Sequence, residues 1–265
     1  MNKRIFSMII AAGILTATGC SGSSGDTAAD QTEVKVFIAA SLSNAMNEIA
    51  GNYEAGNSGI DIIYNSDSSG TLQTQIEEGA ECDIFFSAAE KQMNELNDAG
   101  YIISDTITPL LRNKVVLIKA SGNNVPVTGF DNITAAGSLA LAGADVPVGS
   151  YAREIFDSMG ITDEIMAMNI NEGANVTAVL TAVAEGANDV GIVYSTDAAS
   201  MKDKVEVIAE APEGTLDTPV VYPAALVNNS KASEAETQAA EAFFDYLKTD
   251  EAKAVFTEYG FDVQS

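Results

Sequence analysis

The chain has 265 residues, with 38 acidic against 13 basic side chains, so its formal net charge is −25 at pH 7. This balance argues against a nucleic-acid-binding protein, because nucleic acids select basic surfaces. The sequence contains no histidine. That absence removes serine–histidine and cysteine–histidine catalysis, together with the commonest side-chain ligand of transition metals.

The first segment has the features of a bacterial targeting signal. Two basic residues precede a short apolar run over residues 5–15, which is too short to cross a bilayer as a permanent helix. Small residues then lead to Cys20 in a pattern that resembles a lipobox, although Ala17 stands where such boxes usually carry leucine. We predict a lipoprotein signal peptide over residues 1–19, a lipidated Cys20 and a flexible tether over residues 20–32. An ordinary secretory peptide cut nearby is the alternative.

Cysteine use predicts no disulfide within the chain. If Cys20 carries lipid, Cys82 has no partner, since the sequence contains two cysteines. Cys82 lies in an apolar segment that we predict as a strand, where a free cysteine behaves as a small buried hydrophobic residue.

Strand and helix patterns alternate through the first hundred residues. We predict strands over residues 34–40, 60–64 and 84–87, and helices over residues 42–55, 71–78 and 90–99. Between the second strand and its helix we expect a polar loop over residues 65–70. The apolar face of the first helix comprises Ala45, Met46, Ile49, Ala50 and Tyr53. Such alternation predicts a mostly parallel, doubly wound sheet of the α/β class.

The second half begins with a long apolar strand, predicted over residues 110–119, and a domain crossover in the loop that follows. Further strands are predicted over residues 138–142, 190–194 and 220–227, and helices over residues 151–159, 176–185, 235–247 and 251–256. The helix at 176–185 has a buried stripe of Val176, Val179, Leu180 and Val183. Pro223 places its strand at an edge or a bend of the sheet.

Four junctions between a strand and a helix carry hydrogen-bond donors. They are Ala40-Ser41, Ser68-Ser69-Gly70, Pro147-Val148-Gly149 and Asn175-Val176, and Tyr194 ends a further strand. Ligands of open α/β sheets bind beyond the carboxyl ends of strands, and a helix start offers free N–H groups to an anion. No glutamate or glutamine stands three residues after Ser41, Ser69 or Asn175 to occupy those groups. Each junction taken alone is better explained as an ordinary helix cap.

Together, the segments around these junctions resemble a known family. They are Phe37–Ala45, Ser69–Ile76 with Gly79-Ala80, Asp83–Ala88, Pro147–Ala152, Gly191–Ala198, Phe243–Lys248 and Tyr259–Phe261. In this order they resemble the periplasmic molybdate-binding proteins (ModA family) of bacterial ABC importers over about residues 33–263. The resemblance implies the type II periplasmic-binding-protein fold, an α/β fold with two doubly wound lobes and a ligand cleft between them. Lobe I would comprise residues 33–114 and 220–265, and lobe II residues 115–219.

The same resemblance implies which residues hold the ligand. They are Ser41, Ser69, Val148, Val176 and Tyr194. The serines would donate through hydroxyl and backbone amide, the valines through backbone amides and the tyrosine through its phenol. Ala88 would line the same cleft, but the resemblance supports a ligand contact there less strongly than at the other five residues. The segment before Val148 lacks the Gly-Asp-Pro that the family often carries, which affects the loop geometry there.

The ligand chemistry agrees with a site built from donors. Molybdate and tungstate carry no proton at neutral pH and need donors only, whereas phosphate also needs an acceptor for its own proton. Asp67, Asp83 and Glu172 are the candidate acceptors. We expect Asp67 to cap a turn, Asp83 to stay near a strand start and Glu172 to face solvent, although a carboxylate completes the metal coordination in a family variant. We expect Arg153 at the surface.

We therefore predict a non-enzymatic extracytoplasmic lipoprotein that captures molybdate or tungstate and delivers it to an ABC permease. It would act as a monomer without a cofactor, bind no nucleic acid and touch the membrane through its N-terminal lipid alone. A receptor for sulfate, phosphate or an organic anion is the first alternative. The second is a surface hydrolase with Ser41 or Ser69 as nucleophile, but the sequence offers no histidine, no Gly-x-Ser-x-Gly elbow and no evident base.

Overall fold

The computed structural model describes residues 31–264, which form two β-sheets covered by helices. The strands are β1 (Thr32–Ala39), β2 (Ile60–Asp67), β3 (Ile84–Phe86), β4 (Thr108–Asn113), β5 (Val115–Ala120), β6 (Leu139–Ala142), β7 (Ile170–Gly173), β8 (Val190–Tyr194), β9 (Val205–Glu210), β10 (Val220–Leu226) and β11 (Asp262–Val263). The helices are α1 (Ser43–Gly56), α2 (Ser69–Glu77), α3 (Glu90–Asp98), α4 (Pro147–Met159), α5 (Thr162–Met166), α6 (Val176–Ala184), α7 (Ser195–Ser200), α8 (Glu234–Tyr246) and α9 (Asp250–Glu258). The predicted signal peptide, Cys20 and nearly all of the tether lie outside the described residues.

The first sheet has six strands in the order β11-β4-β10-β3-β1-β2. Strand β1 is parallel to both β2 and β3, as the βαβ alternation predicts, whereas β10 runs antiparallel to β3 and β4. The buried face of α1 is the predicted set of five residues, because a 3.6-residue period alone determines which side chains share a face. We call this sheet with α1, α2, α3, α8 and α9 lobe I.

The second sheet has five strands in the order β7-β6-β8-β5-β9. Strand β6 is parallel to β7 and β8, and β5 is antiparallel to β8 and β9. Helix α6 buries the predicted stripe of four apolar residues against this sheet. We call the sheet with α4, α5, α6 and α7 lobe II. The α/β class and the two-lobed fold are therefore confirmed.

The predicted long strand over residues 110–119 is wrong in one respect, because it is two strands in different sheets. Strand β4 ends at Asn113 in lobe I and β5 begins at Val115 in lobe II, so the chain crosses at Lys114 rather than in the loop after residue 120. The Asn113 side chain accepts a hydrogen bond from the Lys114 backbone N–H at 2.9 Å, which occupies a group that a continuous strand would pair with its neighbour.

Other details of the strands also differ from the sequence prediction. Strand β2 continues to Asp67 through residues expected to form a loop, and the predicted strands do not include β7 at Ile170–Gly173. Pro223 lies in an interior strand rather than at an edge, and a register irregularity between Tyr222 and Pro223 accommodates its missing N–H. Elements β9, β11, α5 and α7 have no counterpart in the prediction.

The apolar core extends through both lobes. One large cluster of buried side chains includes the residues between α1 and its sheet as well as the α6 stripe, and a smaller one includes Phe37, Leu72 and Cys82. Cys82 is 1% exposed, as expected of a small hydrophobic residue, although it precedes β3 instead of lying in it. None of the helices within residues 31–264 has the length and apolar character needed to cross a bilayer.

Candidate functional site

One small cavity lies between the lobes and is lined by all five residues that the sequence singles out. Its wall comprises Ala39, Ala40, Ser41, Asp67, Ser68, Ser69, Ala88, Val146, Pro147, Val148, Val176 and Tyr194. The cavity leaves about 10 Å³ to the centre of a water molecule, which is room for one small group. No lysine or arginine contributes to this wall.

Ser41 does not cap the helix that follows it. It lies in a short 3-10 turn, Ala40–Leu42, and the residue before α1 is Leu42, which makes no side-chain capping bond. The Ser41 hydroxyl instead lies 3.0 Å from the phenolic oxygen of Tyr222 on β10. The prediction of a serine beside a helix start holds, but this hydroxyl is not used by the helix.

Ser69 is the first residue of α2 and is completely buried. Its neighbour Ser68 is the actual cap and accepts a hydrogen bond from the Thr71 backbone N–H at 3.1 Å. The Ser69 hydroxyl oxygen accepts from the Ala88 backbone N–H at 3.0 Å. Because that bond occupies a lone pair, the Ser69 hydroxyl keeps its proton for another acceptor, and Ala88 supports Ser69 rather than donating into the cavity.

Val148 lies in the first turn of α4, which begins at Pro147 and not at residue 151 as predicted. Proline is favoured at this position because the first N–H groups of a helix have no intrahelical acceptor. The Val148 N–H is one of those groups, and the residue before the helix, Val146, offers no side-chain cap. Val148 itself is 1% exposed, so its backbone, and not its side chain, is the polar group available here.

The turn before α4 is tightly packed. A Cβ atom at Gly149 would collide with the backbone oxygens of Gly143 and Ala142, so only glycine fits. The Arg153 guanidinium donates to the Ala142 and Gly149 carbonyl oxygens, both at 2.8 Å. Arg153 is therefore half-buried support for the start of α4, which corrects the prediction of a plain surface residue.

Val176 begins α6, and Asn175 caps that helix as predicted. The Asn175 side-chain oxygen accepts from the Ala178 backbone N–H at 3.0 Å. Its amide nitrogen reaches across to lobe I and donates to Asp67 Oδ1, also at 3.0 Å. The cap thus leaves the Val176 N–H free of an intrahelical partner and at the same time joins the two lobes.

Tyr194 ends β8 and is 1% exposed. Its hydroxyl has no hydrogen-bond partner among the described residues. Buried polar groups are nearly always paired, so this hydroxyl lacks the acceptor that an oxyanion in the cavity would supply. Burial raises the pKa of the Tyr194 phenol well above its usual value, and the group therefore stays protonated and able to donate.

The three candidate carboxylates have different surroundings. Asp67 lines the cavity, and its Oδ1 accepts from the Ser68 N–H at 2.7 Å, so it caps the turn as predicted. Asp83 accepts from the backbone of β1 at 2.8 Å and holds the start of β3. Glu172 is exposed and lies 3.8 Å from Arg153, outside the cavity wall. Within residues 31–264, no three acidic or cysteine side chains form a cluster that could hold a metal ion.

Ser41 also lines a larger cavity of about 430 Å³. Its wall includes the carboxyl groups of Asp197 and Glu258. Burial raises the pKa of Asp197 to about 7, against the opposing effect of a hydrogen bond from the Tyr194 backbone. The wall of the larger cavity has these two acidic residues against the single Asp67 of the smaller cavity, so the smaller cavity is the better anion site of the two.

Two residues near the site were missed by sequence reasoning. Tyr222 contacts Ser41 from 181 positions away, and Asn113 lies within hydrogen-bond distance of Tyr222. No local motif could indicate either contact, because both depend on how β4 and β10 pair in the sheet.

Comparisons with known proteins agree with this architecture. Residues 34–262 match the family described as bacterial extracellular solute-binding protein. The chain is 37% identical over 263 residues to YvgL of Bacillus subtilis (strain 168), a candidate ABC transporter substrate-binding lipoprotein, with 98% of each chain covered. It is 34% identical over 247 residues to the molybdate-binding protein ModA of Escherichia coli K12, covering 91% of this chain and 93% of that protein. Among solved structures it is similar to the periplasmic molybdate-binding protein of Azotobacter vinelandii, with a TM-score of 0.74 at 25% identity and coverage of 88% and 100%.

Proposed function

Because the chain belongs to the ModA family of bacterial extracellular solute-binding proteins, we propose that it captures molybdate or tungstate for an ABC permease. The observation that carries this proposal is the small cavity between the lobes, where uncharged donors from both lobes meet. The unpartnered Tyr194 hydroxyl supports it further, because an oxyanion would supply the missing acceptor.

The electrostatics of the cavity suit a dianion despite the acidic chain. The Debye length is about 8 Å at physiological salt, so distant surface carboxylates are largely screened. Each hydrogen bond from a neutral donor to a charged acceptor contributes roughly 1.5–3 kcal/mol. Several such donors, held in place by the fold, can bind a dianion tightly without lysine or arginine.

The donor set also disfavours protonated anions. Phosphate at neutral pH carries a proton that needs an acceptor, and Asp67 is the carboxylate in the cavity wall. Asp67 Oδ1 already accepts from the Ser68 N–H and from the Asn175 amide, which leaves Oδ2 as the remaining acceptor for such a proton. Sulfate carries no proton and needs donors only, so it is the stronger alternative ligand for a wall built mostly from donors.

Calorimetric titration tests the proposal directly. Purified protein is titrated with molybdate, tungstate, sulfate and phosphate under identical conditions. We expect one tight site for molybdate and tungstate, weaker binding of the smaller sulfate ion and no heat with phosphate. An absence of heat with both molybdate and tungstate would refute the proposal, and tight binding of sulfate alone would replace it with the alternative.

We also propose that Cys20 carries a lipid and that this lipid anchors the protein to the membrane outside the cytoplasm. We propose in addition that the protein is a monomer. The lipobox-like sequence before Cys20 supports this, as does the lipoprotein name of YvgL. Labelling of cells with a radioactive fatty acid should mark the wild-type protein and fail to mark Cys20→Ser. Labelling of that variant would contradict the assignment.

A further inference from the structure

We propose that Asn113 and Tyr222 are positioning residues that turn the Ser41 hydroxyl proton toward the anion cavity. The three residues form a line of hydrogen bonds, which we call the Ser41 network. The inference rests on the proposed function, since it concerns how one donor of that site is oriented. Neither Asn113 nor Tyr222 lines the cavity, so neither would touch the anion.

The orientation of the Asn113 amide is determined by its neighbours. The Lys114 backbone N–H can only donate, and it lies 2.9 Å from Asn113 Oδ1, which also accepts from the Ser195 hydroxyl at 2.9 Å. The amide nitrogen must therefore point the other way. There it has two protons and two partners, the Thr196 hydroxyl at 2.9 Å and the Tyr222 phenol at 3.2 Å.

The direction of the Tyr222 proton follows from this assignment. Within residues 31–264 the Tyr222 oxygen has two hydrogen-bond partners, Asn113 and Ser41. An amide nitrogen does not accept, so of these two partners the one that can take the phenolic proton is the Ser41 oxygen, at 3.0 Å. Tyr222 is fully buried, and burial raises the pKa of its phenol well above the usual value, so the proton stays in place.

Ser41 is thereby left with a proton for which residues 31–264 offer no acceptor. A hydroxyl that accepts a hydrogen bond also becomes a better donor, because hydrogen bonds in series polarise one another. Without the Tyr222 proton, the Ser41 hydroxyl could rotate and present a lone pair to the anion. The network therefore sets both the direction and the strength of this donor.

The Ser41 network lies in lobe I, but residues of lobe II hold one end of it. Asn113 ends β4 in lobe I where the chain crosses to lobe II, and Tyr222 lies on β10 of lobe I. Ser195 and Thr196, which hold the Asn113 amide, begin α7 in lobe II. The orientation of a lobe I donor therefore depends on contacts made at the crossing between the lobes.

A double-mutant cycle on molybdate affinity tests the inference. Tyr222→Phe removes the phenolic oxygen and keeps the ring, and we expect about tenfold weaker binding in the calorimeter. In a Ser41→Ala background, Tyr222→Phe should cause no further loss, because the proton it orients is gone. Additive losses would overturn the inference, as would an unchanged affinity of Tyr222→Phe.

Tyr64→Phe is the matched control for this cycle. It removes a half-buried phenol elsewhere in lobe I, which donates to the Met46 carbonyl at 2.8 Å and does not line the cavity. We expect its affinity to match the wild type. Thermal melting of every variant confirms that it is folded before it is titrated.

Asn113→Asp should reverse the direction of the hydrogen bonds in the Ser41 network, because the aspartate side chain has the same shape as asparagine but can only accept when it is ionised. The Tyr222 proton would turn to the new carboxylate, Ser41 would then donate to Tyr222, and the anion would lose a bond. We expect at least tenfold weaker binding, with recovery as the pH falls and the aspartate regains a proton. In the Ser41→Ala background the effect should vanish, whereas simple repulsion by the new charge would persist and contradict the inference.

A spectroscopic measurement separates this inference from the proposed function. Wild-type protein that binds neither molybdate nor tungstate would refute the function alone. In ligand-free protein labelled at the tyrosine Cζ carbon, we expect a slowly exchanging Tyr222 hydroxyl proton that exchanges much faster in Ser41→Ala. Equal exchange in the two proteins would overturn the inference whatever the ligand is.

Discussion

The two lobes supply their donors to the cavity in different ways. Lobe I offers the side-chain hydroxyls of Ser41 and Ser69, whereas lobe II offers the first N–H groups of α4 and α6, at Val148 and Val176, and the Tyr194 phenol. A hydroxyl can rotate and needs a partner that fixes its direction. A backbone N–H at a helix start is already directed by the helix.

This difference explains what each lobe needs around its donors. In lobe I the partners are the Ala88 N–H for Ser69 and the Tyr222 phenol for Ser41. In lobe II the need is a correctly placed backbone, which Gly149 and Arg153 provide at the start of α4. Lobe I should therefore be sensitive to loss of a side chain, and lobe II to displacement of its backbone.

The largest expected effect comes from removing both serine hydroxyls of lobe I. Ser41→Ala combined with Ser69→Ala deletes two charge-assisted hydrogen bonds of roughly 1.5–3 kcal/mol each, so molybdate binding should weaken by more than about 100-fold. Calorimetry measures the change. Ser43→Ala is the matched control, because Ser43 lies two positions from Ser41 but does not line the small cavity. A loss below about tenfold would show that lobe I contributes little.

Displacing the lobe II backbone should have the next largest effect. In Gly149→Ala the new methyl group meets the backbone of Gly143 and Ala142, so the start of α4 must shift. We expect a loss of about 1–3 kcal/mol in the free energy of unfolding, measured in urea, and about tenfold weaker binding. In contrast, Gly51→Ala in α1 has open space around it and should stabilise the protein by about 0.5–1 kcal/mol. Unchanged affinity of Gly149→Ala would contradict the backbone-donor role.

Tyr194→Phe tests the one side-chain donor of lobe II. Loss of a charge-assisted bond should weaken binding about tenfold or more. The melting temperature of the ligand-free protein should not fall, because the deleted hydroxyl has no partner there. Tyr64→Phe loses its bond to Met46 and should be less stable by about 1 kcal/mol with unchanged affinity. If Tyr194→Phe destabilised the ligand-free protein equally, the hydroxyl would have a structural partner instead.

The smallest effect on binding is expected from Val148→Ala. The variant keeps the backbone N–H, so molybdate affinity should change by less than about threefold. Because Val148 is 1% exposed, the free energy of unfolding should nevertheless fall by about 2 kcal/mol. Titration at a temperature well below the melting point separates the two quantities. A tenfold loss of affinity would mean that the valine side chain matters and would remove the contrast between the lobes.

Local periodicity predicted the helices that pack on the sheets, except for the short α5 and α7. The buried faces of α1 and α6 match the sequence residue by residue, because side-chain spacing along a helix does not depend on the rest of the fold. The same reasoning failed at Asn113. Apolar residues stand on both sides of the crossing, so the sequence pattern predicts one strand where there are two. The reasoning also failed at Pro147, since proline and glycine indicate a turn as readily as a first helical turn.

The candidate site was predictable only in part. The resemblance to the ModA family named the five residues that the structure brings around one cavity. It did not indicate that Ala88 supports Ser69, that Tyr222 contacts Ser41 or that Asn175 reaches Asp67. Those contacts join distant parts of the chain, and only the packed sheets bring them together.

The hydrogen bond between Asp67 and Asn175 has a kinetic consequence. It joins β2 of lobe I to the cap of α6 in lobe II, so it must break whenever the lobes separate. An enclosed anion leaves only after such a separation, whereas it enters lobes that are already apart. The bond should therefore lengthen the residence time of the anion without changing its rate of capture. The hydrogen bond between these two side chains, neither of which needs to touch the anion, would then help to determine how long the ligand stays bound.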